Sequence, residues 1–92
     1  MKTNHELHKE ILDEIHSVYL AKNADYGNSF GDQFEEYGVL SAAIRIDDKM
    51  RRLKQLIKNE AKVKDESLED TVQDMANYCV MTLVELRKLR GE

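Results

Sequence analysis

The sequence predicts an all-α fold: an antiparallel three-helix domain with long helices, the second kinked, that completes a helical bundle by homo-oligomerisation. Three observations lead there. The 92-residue chain has no proline and only four glycines, three of them at positions 27, 31 and 38 and the last at 91, so long stretches carry no helix breaker. Apolar residues recur three and four apart through those stretches, which is the period of one helix face. No pair of alternating runs joined by a two-residue turn occurs, so nothing marks a sheet.

Helix one is expected from about Asn4 to Lys22. Thr3 and Glu6 have capping-box spacing, and Leu7, Ile11, Ile15 and Val18 form its apolar stripe. The turn residues and glycines from Asn23 to Asp32 read as a loop. The second helix has a short first part near Gln33 to Tyr37, a break or kink at Gly38, and a main body from about Ser41 to Asn59. Val39, Ala43, Ile46, Met50, Leu53 and Ile57 share one face; Leu40 and Ile44 lie off it and suggest a second contact surface. Residues 61–65 are a polar connection. Helix three is expected from about Ser67, with a cap-like spacing to Asp70, to Arg90, with Gly91 as its stop. Leu68, Val72, Met75, Cys79, Leu83, Leu86 and Leu89 are its expected core face. Glu66, Asp70, Asp74, Asn77 and Met81 gather on the opposite side, so this helix is expected to be buried on two sides.

Size bounds the rest. A chain of 92 residues reads as a single domain, residues 1–92, and it buries only about 60–65% of the surface that its unfolded form exposes. With 7% aromatics and no Trp, a second copy is the natural source of additional core. The net charge of −4 argues against coating DNA or RNA, which needs a basic surface to displace counterions. One cysteine makes no internal disulfide, and Cys79 is expected to pack as a small hydrophobe. No apolar run approaches a membrane span, and the polar N-terminus lacks a signal-peptide pattern, so a cytoplasmic protein is the expectation.

Two groups of residues could carry chemistry. Glu66, Asp70 and Asp74 stand four residues apart in turn, so neighbours lie about 5–6 Å apart and repel. A divalent cation such as Mg2+ removes that repulsion and joins carboxylates to phosphates. Asp47 or Asp48 on the second helix would close the site from the other side, although by helical phase the two point about 100° apart. The plain alternative is a solvated acidic face at a helix start. No Lys or Arg lies four residues from Asp70 or Asp74, while Lys49, Arg51 and Arg52 follow Asp48. The second group is the segment from Lys22 to Phe30. It joins a cation and turn formers, Asp25 among them, to Tyr26 and Phe30, which suit base stacking, and to Asn28, which suits reading a base edge. Alternatively, the two aromatics plug the top of the bundle. His5, His8 and His16 read as surface residues, and no P-loop run is present.

Three ordered blocks carry a resemblance. Residues 23–30 (NADYGNSF), 44–53 (IRIDDKMRRL) and 66–78 (ESLEDTVQDMANY) resemble the nucleotide modification associated domain 1 family, over about residues 18 to 82. That family is similar to the MazG-like all-α nucleoside triphosphate pyrophosphohydrolases. The resemblance implies cleavage of a nucleoside triphosphate, modified deoxynucleotides included, to monophosphate and pyrophosphate, with magnesium (or manganese) held by acids on two helices of an oligomeric bundle. The chain departs from the usual signatures at two places: Val39 stands where the last Glu of the second-helix pattern would be, and Thr71 where the Glu before Asp74 would be. On this reading Asp48, Glu66, Asp70 and Asp74 hold the metal, and one of Glu66, Asp70 and Asp74 orients or deprotonates the attacking water. Lys49 and Arg52 neutralise the phosphates, and Lys22, Asp25, Tyr26, Asn28, Phe30 and Asn77 complete the substrate set. The alternatives are a nucleotide- or metal-binding module without catalysis, and a helical interaction module.

Overall fold

The computed structural model describes residues 1–59 and 67–92. The described residues form four α-helices and no strand: α1 (Asn4–Tyr26), α2 (Ser29–Tyr37), α3 (Val39–Lys58) and α4 (Leu68–Leu89). Helix α4 is the central element and packs against all three others, most extensively against α3. None of the four is long and apolar enough to cross a membrane.

The helix ends follow local chemistry. Thr3 and Glu6 form the expected capping box on α1. Ser67 accepts a hydrogen bond from the Asp70 amide (3.0 Å) and donates its hydroxyl to the Asp70 carboxylate (2.8 Å), which caps α4. The expected loop after Lys22 is largely helical. Residues 23–26 contain neither Gly nor Pro and continue α1 until Gly27, whose φ of 69° ends it. In place of one kinked second helix there are two helices, α2 and α3, hinged at Gly38 with φ 78°. The Gly38 amide donates to the Phe34 carbonyl, and the Gly38 carbonyl accepts from both the amide and the hydroxyl of Ser41. Four helices therefore replace the expected three.

The interior is small. Phe30, Phe34 and Ala42 are the buried apolar residues, with Tyr78 and Met81 half-buried against them. No residue of α1 is buried. The radius of gyration is 14.7 Å, whereas a compact chain of this length measures about 12 Å.

Helix α4 corrects the expected core face. Thr71 and Glu85 are buried and Tyr78 is half-buried. Val72, Cys79 and Leu86, the next residue in each case, are exposed, as are Leu68, Leu83 and Leu89. The helix sits about one residue's rotation, ~100°, away from the orientation its apolar stripe calls for. The reason lies in its neighbours. Phe30 stacks on Tyr78 (centroids 5.9 Å apart, 14° between planes), and Ala42 has too small a side chain to hold α3 off.

Ala42 is only 1% exposed, so the α3 surface there has no room for a larger group. Ala42→Leu should cost about 1–3 kcal/mol by overpacking. Urea unfolding monitored by circular dichroism checks this, with a lower midpoint at unchanged slope as the expected result.

Candidate functional site

A cavity of about 290 Å³ opens where the C-terminal turns of α1 meet α2, α3 and α4. That volume lies at the lower edge of small-ligand pockets, about 300–1,000 Å³. Tyr19, Lys22 and Tyr26 line it from α1, Phe30 from α2, Arg45 from α3, and Asp74, Asn77, Tyr78 and Met81 from α4. Helix α1 brings a cation and two phenols, and α4 a carboxylate and an amide.

The centre of the charge arrangement is Asp74. Its two carboxylate oxygens face two lysines, Lys22 of α1 and Lys49 of α3, each at 3.3 Å. The missing local neutralisation along α4 is thus supplied by other helices. Arg45 sits beside this group. Its Nε donates to Gln33 Oε1 at 2.8 Å, and its guanidinium carbon lies 5.5 Å from the Phe30 ring centre and 5.8 Å from that of Tyr78.

A second hollow adjoins the first, sharing Arg45 and Tyr78 and lined also by Asp48, Lys49 and Arg52. Lys22, Arg45, Lys49 and Arg52 therefore outnumber Asp74 and Asp48 across the two hollows, on a chain whose net charge is −4. Asp47 turns away to pair with Arg51 at 2.8 Å. That hydrogen bond and the charge behind it hold the Arg51 guanidinium above its ordinary pKa. Of the two neighbouring acids, Asp48 lines the adjoining hollow.

Of the residues expected from sequence, Lys22, Tyr26, Phe30, Asp74 and Asn77 share the main cavity. Lys49 reaches it through Asp74, and Arg52 and Asp48 line the adjoining hollow. Phe30 is 4% exposed and takes the plug role against Tyr78, whereas Tyr26 is 75% exposed at the rim and free to stack on a ligand. Asn28 occupies the N-cap position of α2 without a side-chain capping hydrogen bond, and its amide lies over Gly31, where an added Cβ would meet the Asn28 Nδ2. Asp25 is exposed in the last turn of α1 and does not line the cavity. Asp70 serves the α4 cap. Glu66 lies outside the described residues, and among those residues no three His, Cys, Asp or Glu side chains converge in a metal-holding group. Sequence reasoning missed Arg45 and Tyr78. Arg45 had a signal, since Arg45, Lys49 and Arg52 follow the i, i+4, i+7 spacing of one helix face.

The family model described as nucleotide modification associated domain 1 matches residues 22–86. The chain belongs to that family. The match within the nucleotide modification associated domain 1 family takes in every cavity-lining residue except Tyr19. No curated protein and no solved structure matches the chain.

Arg45 joins α2, α3 and α4 through one hydrogen bond and two ring contacts. Arg45→Met keeps the stem and removes these contacts, with an expected loss of about 1–2 kcal/mol. Arg45→Lys should not restore it, because an ammonium lacks the planar guanidinium face. Thermal unfolding of both variants is the check.

Proposed function

We propose that this cavity binds a nucleotide, with the base against Tyr26 and the phosphates among Lys22, Arg45, Lys49 and Arg52. The carrying observation is the Lys22–Asp74–Lys49 arrangement, which fixes two ammonium groups at the mouth of a small aromatic-floored cavity. Lysines held by a shared carboxylate are already positioned when a polyphosphate arrives, so less entropy is lost on binding. Asn77 and Tyr19 offer polar edges to the base or sugar. Membership of a nucleotide modification associated family supports a nucleoside triphosphate, canonical or base-modified, as the ligand class.

A second reading adds hydrolysis to pyrophosphate and monophosphate, as in the MazG-like enzymes that the sequence resembles. One observation favours it: a phosphate chain that draws Lys22 and Lys49 to itself uncovers both oxygens of Asp74. Mg2+ or Mn2+ would supply charge neutralisation and an acidified water. The donor set fits a cation carried by the phosphates, since magnesium is commonly held by one or two carboxylates and substrate oxygens. Asp74, which lines the cavity, and Asp48, which lines the adjoining hollow, are the carboxylates that would take it. The same reading places the protein in the cytoplasm and makes it a homodimer or higher homo-oligomer, because one chain covers so little of its apolar surface.

A thermal-shift and calorimetry panel of nucleosides and their mono-, di- and triphosphates, with and without magnesium, tests the binding. Triphosphates should raise the melting temperature most, and no shift with any nucleotide overturns the proposal. Lys22→Ala and Lys49→Ala should each weaken triphosphate binding about tenfold and leave nucleoside binding unchanged. Tyr26→Ala should cost about 1–3 kcal/mol for every member that binds.

Asp74→Asn separates the two readings. It removes an anion from the phosphate site but also frees the two lysines, so the two effects oppose and affinity should change little. Any pyrophosphate release should fall by at least about a hundredfold. Binding without release in the wild type leaves the first reading and removes the second.

A further inference from the structure

We infer that two copies of this chain pair through an antiparallel contact of their α4 helices, with Cys79 on the two-fold axis. The inference rests on the self-association included in the proposed function and names its surface. Leu68, Val72, Met75, Cys79, Leu83 and Leu86 follow one another at spacings of four and three, close to a coiled-coil seam. Met75 is half-buried and the other five are exposed, and no described element covers them.

The stripe reads almost the same in both directions from Cys79. Val72 and Leu86 stand seven residues to either side, and Met75 and Leu83 four residues to either side. An antiparallel copy thus sets Val72 against Leu86 and Met75 against Leu83, twice over, and Cys79 against itself. A parallel copy would set each residue against its own kind and each charge against a like charge.

Charge supports the antiparallel sense. The first turn of α4 is acidic, with Glu69 and Asp70, and its last turn is basic, with Arg87 and Lys88. Glu69 and Arg87 lie on the same flank of the seam, since 18 residues are about five full helical turns. In the antiparallel pair, Glu69 of each copy meets Arg87 of the other. The cavity is lined from the other side of α4, by Asp74, Asn77, Tyr78 and Met81, and stays open in the pair.

Sedimentation equilibrium on the full chain should give twice the 10.7 kDa chain mass. A short bis-maleimide should link the two copies, and Cys79→Ser should abolish the link. Leu83→Glu should weaken association by at least about tenfold by forcing a charge into the seam. Its helical content should stay unchanged, because Leu83 is already 58% exposed in the single chain. Glu69→Arg and Arg87→Glu should each weaken the dimer, and the double variant should recover it. A monomer overturns both the pairing and the self-association. A dimer that does not cross-link at Cys79, or that is indifferent to Leu83→Glu and to the charge exchange, overturns this interface alone and leaves self-association standing.

Discussion

Four helices in so short a chain do not enclose enough volume for the apolar side chains they carry, and this shortage governs the rest of the structure. Among the described apolar residues only Phe30, Phe34 and Ala42 are buried. Burying a leucine or valine stabilises a fold by about 1.5–3 kcal/mol, so each one left half in water forgoes much of that. The consequence is most visible on α4, whose inward face carries Thr71, Asp74, Tyr78 and Glu85. Polar groups are tolerated there because they are bonded: Thr71 donates its hydroxyl to the Ser67 carbonyl, and Glu85 pairs with Lys88. A fuller core would have displaced the side chains that make the cavity useful.

The ion pairs at Asp74 belong to this open regime. At 3.3 Å, with all three partners partly exposed, they add little to stability. Their effect is on position. Lys22 and Lys49 come from helices that touch α4 from different sides, and Asp74 gives both ammonium groups a common target. Arg45 reaches the same place by another means, lying beside two stacked rings and tied to Gln33. The cations are therefore held by side chains of different chemistry, and only the lysines share the carboxylate. A ligand that competed for the lysines would leave the Arg45 contacts intact, so the proposed site would keep its frame.

Helix ends were legible in the sequence because capping is local. Thr3, Ser67 and Gly38 act through atoms within four residues of themselves, and each does what its spacing implies. The segment from Asn23 to Tyr26 was misread because Asn and Asp suit turns but do not forbid helix, and only Gly27 stops it. Much of the candidate site was also legible. Lys22 and Tyr26 stood out by residue type, Asp74 and Asn77 by residue type and helical phase, and all four line one cavity. The expected convergence of the acids does not occur among the described residues, because spacing along one helix says nothing of what other helices bring to each carboxylate. Asp70 goes to a hydroxyl and Asp74 to two lysines. The face of α4 was misread for a related reason. Apolar periodicity states which side of a helix gains most from burial, and the packing of Phe30, Tyr78 and Ala42 decides which side is buried within one chain.

That last point bears on how the cavity persists. Thr71, Tyr78 and Glu85 occupy the interior while Val72, Cys79 and Leu86, one position further along, face outward. On hydrophobic grounds alone, an isolated chain gains by rolling α4 through one residue, because the second set is the more apolar. Such a roll would carry Asp74 away from Lys22 and Lys49 and part Tyr78 from Phe30. Covering the outer stripe with a second copy removes that incentive, since the apolar set is then buried without any rotation. In the proposed pair the seam and the cavity would stabilise the same orientation of α4 from opposite sides, and the cavity would owe its geometry to a contact outside it.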